Sequence, residues 1–288
     1  MKASELVLAP DGSLYHIRLN SSTLADKVLL VGDPGRVEMF KEIFDSIEFE
    51  SQNREIHALT GTYHGTRMTA LSTGMGCDNI DIVVTELDAA ANFDLATRTV
   101  LPNHRRLNLI RIGTSGSLRP EVDCGSLVAA RYAIGLDGLL NYYRHDDEGF
   151  EKEMEAAFNQ HMQLDSRLAT PYCVKGSEKL LNLVAEGMHI GITATAPGFY
   201  GPQGRDIRLA PSIENLNEKL AAFSWNGTPV TNLEMETSAI YGFSQALGHN
   251  ALTVCLIIAS RPAGTFLNDY HGPMRNTIGT IIERLSKQ

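Results

Sequence analysis

Arginine recurs beside glycine in this chain in a pattern that suits an oxyanion. Gly32-Asp33-Pro34-Gly35-Arg36 puts an arginine just after a strand-length run, in a first helical turn whose dipole favours acidic groups. With a glycine letting an anion approach the backbone, that arginine points to an anionic partner; the plainer reading is a solvated residue in an ordinary strand–turn–helix. Arg111-Ile112-Gly113-Thr114-Ser115-Gly116 continues an apolar run. Alternation sets Leu107, Leu109 and Arg111 on one face of a strand and Asn108, Ile110 and Ile112 on the other. A buried guanidinium there needs a counter-charge, from a bound phosphate or from a structural carboxylate. Gly113–Gly116 is expected as a turn whose hydroxyls and N–H groups, Thr114 among them, complete the anion site. The stretch is neither a Walker A loop nor a G-x-G-x-x-G fingerprint.

Two further stretches offer polar recognition. Thr231-Asn232-Leu233-Glu234-Met235-Glu236 lies at a strand-to-helix junction, where the Glu236 carboxylate can accept from both hydroxyls of a vicinal diol such as ribose. The plainer alternative is that both glutamates favour a helix N-terminus. Phe199-Tyr200-Gly201-Pro202-Gln203-Gly204-Arg205 reads as a loop in which Gln203 and Arg205 match the carbonyl and N–H edge of a pyrimidine-dione, with Phe199 against the ring. Tyr15-His16 and Asn53-Arg54-Glu55 are weaker signals, each closer to an ordinary surface group.

Strand-length apolar runs alternate with helical patterns throughout. Strands are expected over Lys27–Gly32, Met68–Ser72, Leu107–Ile112, Ser126–Ile134, His189–Ala194, Pro229–Asn232 and Leu252–Ile258. Helices are expected over Arg36–Phe44, Asp78–Asn92, Phe150–His161, Ser177–Glu186, Pro211–Phe223, Met235–Leu247 and Pro273–Leu285. Strands apolar along their whole length imply helices on both faces of a mostly parallel or mixed sheet, an α/β fold with ligands at the carboxyl edge of the strands. No linker or repeat divides residues 1–288, which are expected as one domain.

The 288 residues carry 25 Lys+Arg against 34 Asp+Glu, a net charge of −9, which excludes a generic nucleic-acid binder but not a local basic pocket. With 43% hydrophobic and 20% charged residues the composition is globular. Neither a secretory h-region nor a run near the roughly 20 apolar residues that span a bilayer is evident, so a cytoplasmic protein without membrane attachment is expected. Cys77, Cys124, Cys173 and Cys255 are scattered without a C-x-x-C pair, the pattern of reduced thiols.

In this order, the motifs resemble the nucleoside phosphorylase-I family, and within it the uridine phosphorylases, from about Tyr15 to Phe266. They comprise His16 before the first strand, G-D-P-x-R, the isolated Arg54, S-T-G-x-G, R-I-G-T-S-G, Q-x-R and E-M-E. The resemblance implies a phosphorylase-type three-layer α/β fold: a central mixed β-sheet partly closed into a barrel and surrounded by helices. It implies reversible phosphorolysis of uridine, with deoxyuridine and thymidine as further substrates, to uracil and ribose 1-phosphate in pyrimidine salvage. Homo-oligomers, dimers or hexamers built as trimers of dimers, with active sites shared between subunits, are implied as well. Carried over, Gly32, Arg36, Arg111 and Thr114 would bind phosphate, joined by Arg54 of the neighbouring subunit. Met235 and Glu236 would hold the ribose, with His16 of the neighbour at its 5′-hydroxyl. Phe199, Gln203, Arg205 and Arg261 would face the base, and Arg111, Glu236 and Arg205 would carry the catalysis. Arg261 lies where purine enzymes carry an aspartate, and no aspartate occurs between Ala251 and Asn268. Orthophosphate is the co-substrate and no metal or organic cofactor is implied, although some relatives hold a monovalent cation at the dimer interface, near the position of Glu55. The alternatives are a purine nucleoside phosphorylase or nucleosidase of the same fold, a nucleotide-binding oxidoreductase, and a non-catalytic nucleoside-binding protein.

Overall fold

The computed structural model describes residues 1–145 and 149–287. Strand β1 (Lys27–Val31) leads through a single 3-10 turn, Pro34–Arg36, into a short α1 (Glu38–Lys41). The helix expected over Arg36–Phe44 is thus shortened. Phe40 and Phe44 turn into the core, and the Asp45 N–H bonds to the Thr62 carbonyl, which starts the next sheet ladder. The hairpin β2 (Ser46–Asn53) and β3 (Ile56–Tyr63) and strand β4 (Thr66–Ser72) precede α2 (Cys77–Asn92). A two-stranded ribbon, β5 (Phe93–Asp94) and β6 (Thr99–Val100), leads to β7 (Asn108–Ser117) and β8 (Leu127–Gly135). Next come α3 (Lys152–Met162), β9 (Tyr172–Lys175), α4 (Glu178–Val184) and β10 (His189–Thr195). The C-terminal part holds α5 (Leu216–Ala222), β11 (Ser224–Trp225), β12 (Thr228–Glu234), α6 (Thr237–Ala246), β13 (Asn250–Ser260), β14 (Thr265–Phe266) and α7 (His271–Ser286).

The main path of the twelve-stranded sheet runs β11-β12-β10-β8-β13-β7-β1-β4-β3-β2. β12 also pairs with β7, through Asn232 opposite Ser117 and Leu233 opposite Gly116. That extra ladder closes β7, β12, β10, β8 and β13 into a five-stranded barrel. It also corrects the turn expected at Gly113–Gly116: the stretch remains strand, because β13 pairs with it as far as Ser117 and β12 meets its end. One edge is nevertheless open. Arg111 is the last β7 residue paired to β1 and Gly116 the first paired to β12, so Gly113–Ser115 border a gap in the sheet.

Helices cover both faces, as continuous apolar strands require. Leu107 and Leu109 pack in a core with α2 and α6, whereas Ile110 and Ile112 pack on the opposite face with α1, α4 and α7. The alternation inferred for Leu107–Ile112 is therefore real, and it aims Arg111 at the α2/α6 side. A third core, around Phe158, Leu216 and Leu220, seats α3 and α5 against the barrel. All four cysteines are unpaired, and Cys77, Cys173 and Cys255 are buried. Among the described residues no helix is long and apolar enough to cross a membrane.

Candidate active site

Arg111 is the centre of a buried ionic cluster. The Arg111, Glu234 and Glu236 residues are 5%, 4% and 5% exposed. Arg111 Nη1 lies 3.1 Å from Glu234 Oε2, and Nη2 donates to Glu236 Oε2. A third contact is Nη1 to the Cys255 sulfur at 3.4 Å, while Nε has no hydrogen-bond partner among the described residues. The guanidinium folds along its own strand over Gly113, where an ideal Cβ would stand 2.6 Å from Arg111 Cζ. Gly113 is thus needed for space. Burial disfavours the Arg111 charge, but Glu236 and Glu234 outweigh it and hold the guanidinium pKa above its usual value.

The two carboxylates reach Arg111 because β12 ends where α6 begins. Glu234, the last residue of β12, accepts from the N–H groups of Glu236 and Thr237 and from the Thr195 hydroxyl at 2.7 Å. The expectation that an acid favours a helix N-terminus there is met by Glu234. Glu236 instead reaches across to α2 and accepts from the Gly76 N–H at 2.7 Å. Gly76, at φ 94°, caps α2 in a conformation that favours glycine. Burial, and then the nearby Glu234, raise the Glu236 pKa, with Arg111 opposing them. Glu236 therefore sits between a guanidinium and a helix N-terminus, in the electrostatic setting that suits an oxyanion.

Of the other expected phosphate and ribose residues, Gly32, Arg36 and Thr114 make no hydrogen bond or ion pair with Arg111 among the described residues, and Met235 stands between the two carboxylates in the chain. Gly32 follows β1, and its Cβ position is 3.5 Å from the Gly74 carbonyl, so the loops after β1 and β4 touch. Arg36 is buried, with Cζ 5.6 Å from the centre of the Tyr270 ring. Thr114 is half-buried on the face of β7 opposite Arg111, and its hydroxyl has no hydrogen bond among the described residues. Met235 is half-buried, and its carbonyl accepts from the Cys77 thiol.

The base-side residues form a second cluster. Gln203 is 4% exposed; its Oε1 accepts from Arg205 Nη1 at 2.7 Å, and its carbonyl accepts from Arg261 Nη2 at 3.4 Å. Arg205 Cζ stands 3.7 Å from the Phe199 ring centre, so the ring, half exposed, is covered by a guanidinium. Burial and the neighbouring Arg261 charge pull the Arg205 pKa down to about 10. Arg261 Nε lies 3.8 Å from the Cβ position of Gly116, which ties this cluster to the barrel end of β7.

His16 and Arg54 make no hydrogen bond or ion pair with Arg111 among the described residues, and they share one support. Asn53 Nδ2 donates to the carbonyls of Tyr15 and His16, joining the N-terminal segment to the β2–β3 hairpin tip. At that tip Arg54 is exposed, in a left-handed conformation at φ 55°. Glu55 is beside the loop after β4, its Cγ 3.1 Å from the Gly74 Cβ position. His16 Nδ1 lies 2.6 Å from Glu86 Oε1.

Motif reading passed over three groups. The Gly76 N–H was hidden because backbone donors have no sequence letter. Glu86 is an acid among the apolar residues Ile80, Val83, Val84 and Leu87 of α2, a mismatch that is visible on a helical projection. Asp137 accepts from the hydroxyls of Tyr172 and Ser238 at 3.1 and 2.8 Å, bracing the start of α6 from strands far away in sequence.

Comparison with known proteins places this geometry. The chain is 29% identical to a uridine phosphorylase of Thermococcus kodakarensis, over 89% of this chain and 80% of that one. It is 30% identical to a DeoD-type purine nucleoside phosphorylase of Anoxybacillus flavithermus, over 84% of this chain and 85% of the relative. A solved nucleoside phosphorylase of Trypanosoma brucei, described as showing uridine phosphorylase activity, superposes with a TM-score of 0.88 at 31% identity; the match covers 98% of this chain and 100% of that one. The phosphorylase superfamily model matches residues 26–272, and with a barrel that gathers Arg111, Glu234 and Glu236 at its rim, the chain belongs to that superfamily as a nucleoside phosphorylase, a pentosyltransferase.

Proposed function

We propose that the chain catalyses the reversible phosphorolysis of uridine to uracil and ribose 1-phosphate. The observation that carries the pyrimidine choice is the Gln203–Arg205–Arg261 cluster, in which buried Gln203 accepts from two guanidinium groups, through its side-chain oxygen from Arg205 and through its main-chain carbonyl from Arg261. Its donors match carbonyls that gain negative charge as the glycosidic bond breaks, and that charge is stabilised more in the transition state than in the substrate. Arg205, with its pKa near 10, stays protonated at pH 7. A uracil anion leaves without a dedicated acid, and no aspartate occurs between Ala251 and Asn268, the stretch in which the purine enzymes carry one. The uridine phosphorylases among the relatives support this reading.

Orthophosphate would bind to Arg111 and Arg36, near Gly32 and Thr114, with Arg54 of a second copy closing the site. Its arrival draws the Arg111 guanidinium from Glu236, and the freed carboxylate oxygen accepts from the ribose 2′- and 3′-hydroxyls beside Met235. The phosphate oxygen then attacks C1′ as the base departs from the opposite face. His16 of the second copy would meet the 5′-hydroxyl, and Phe199 the base and sugar.

The 30% identity to a purine enzyme keeps a purine substrate as the second reading. Release of uracil from uridine and of hypoxanthine from inosine, each with and without inorganic phosphate, tests both. Phosphate-dependent uracil release is the expected result. Hypoxanthine release alone would assign a purine enzyme, and phosphate-independent release a nucleosidase.

A further inference from the structure

Glu86 is a buried acid, 8% exposed, in the middle of the otherwise apolar inner face of α2. A carboxylate in such a place is costly unless its oxygens are satisfied. Glu86 meets that demand with donors from one short segment: Oε2 accepts from the backbone N–H groups of His16 and Ile17, both at 3.0 Å, and Oε1 lies 2.6 Å from His16 Nδ1. Because two backbone donors already make the carboxylate an acceptor, the hydrogen of the third bond resides on Nδ1. The imidazole is thereby fixed in rotation and in tautomer, and Nε2 is turned away from Glu86. Nε2 has no hydrogen-bond partner among the described residues, and the side chain remains 28% exposed. Asn53 clamps the same backbone from the other side, through the hairpin that presents Arg54.

We propose that Glu86 is a positioning residue for nucleoside recognition: it presents His16 Nε2, unprotonated in the neutral ring, to the ribose 5′-hydroxyl in a neighbouring copy's active site. This rests on the reading of His16 as a 5′-hydroxyl contact given above. The competing role, anchoring the N-terminal segment to α2 and nothing more, uses only the two backbone bonds and makes no demand on the imidazole.

The test compares uridine with 5′-deoxyuridine in phosphate-driven uracil release, using the full-length chain and the variants H16A, E86Q and H16A/E86Q. Wild-type enzyme is expected to prefer uridine in kcat/KM by about fivefold, the scale of one neutral hydrogen bond. E86Q should bring that ratio to about one, leave kcat/KM for 5′-deoxyuridine unchanged, and be no worse when combined with H16A. An equal loss on both substrates, or an unchanged ratio in E86Q while H16A abolishes it, overturns the positioning role and leaves the His16 contact standing. An unchanged ratio in H16A itself, or no preference in wild type, overturns both. Absence of uracil release from uridine by the wild type refutes the proposed function instead. Should E86Q fail to fold, the ring 15N shifts of His16 in the wild-type protein decide: a protonated Nδ1 is expected, and a bare Nδ1 with a protonated Nε2 refutes the proposal.

Discussion

The space above Gly113 is the most sensitive point of the buried cluster. In Gly113→Ala a Cβ would stand 2.6 Å from Arg111 Cζ and 2.9 Å from Nη2, with Nη1 closer still. Non-bonded carbon contacts settle near 3.5–4 Å, so the guanidinium has to retreat by about 1 Å. Gly113 lies within β7 and is not among the positive-φ glycines, so the backbone accepts alanine and the effect falls first on Arg111, which supplies the three nearest atoms. The retreat strains the 3.1 Å pairing with Glu234 and the bond to Glu236. Overpacking costs about 1–3 kcal/mol, and losing a buried ion pair outright about 3–5 kcal/mol. A partial loss should therefore destabilise by about 2–3 kcal/mol, seen in calorimetry as a Tm lowered by about 5–10 °C. Misplacing a catalytic group by about 1 Å is worth on the order of 100-fold, which should appear in kcat/KM for phosphate. Gly116→Ala is the control on the same strand. Its Cβ would meet Arg261 Nε at 3.8 Å, an ordinary contact, and stability should hold within about 1 kcal/mol. A Gly113→Ala protein with wild-type Tm and phosphate kinetics within twofold of wild type would refute the placement of Arg111 over Gly113.

Arg111→Ala should abolish phosphorolysis and, by leaving Glu234 and Glu236 without a counter-charge, cost about 3–5 kcal/mol in chemical denaturation; near-native activity would remove Arg111 from the phosphate site. Gln203→Ala should raise the barrier for uridine by about 1–3 kcal/mol, measured as kcat/KM. An unchanged rate would mean that the Gln203 amide faces away from the base. If Arg54 serves a neighbouring copy, co-expressing Arg54→Ala and Arg111→Ala chains should restore about a quarter of the sites in randomly paired dimers, from two inactive parents. No recovery of activity in the mixed sample would place Arg54 in its own subunit's site.

The alternation of apolar runs was enough to read the seven helices and the seven central strands, because a strand buried on both faces has little choice of residue, whereas the β2–β3 hairpin and the short strands β5, β6, β9, β11 and β14 carry no such run and went unread. It also placed Arg111 correctly, since its neighbours Leu109 and Ile110 do fall into different cores. The limits of β7 were not legible. A glycine-rich stretch reads as a turn by local preference, and only pairing with β12 and β13, more than a hundred residues away, keeps Gly113–Ser117 extended. Similarly, Arg36–Phe44 looked helical throughout, but the hairpin after it claims the chain from Asp45.

For the candidate site, residue types alone established that a buried arginine on a strand demanded negative charge, because desolvation penalises an unpaired guanidinium wherever the chain goes. They could not say whether a ligand or a carboxylate would supply it. The tertiary structure decided that: closure of the barrel brings the end of β12 to the open edge of β7, and Glu234 and Glu236 arrive there together with the N-terminus of α2. The same holds for His16, a weak signal in the sequence by itself, whose orientation is set by a carboxylate 70 positions away. Local preference is a property of neighbours along the chain, whereas ion pairing depends on distance in space, and only the folded sheet fixes that distance.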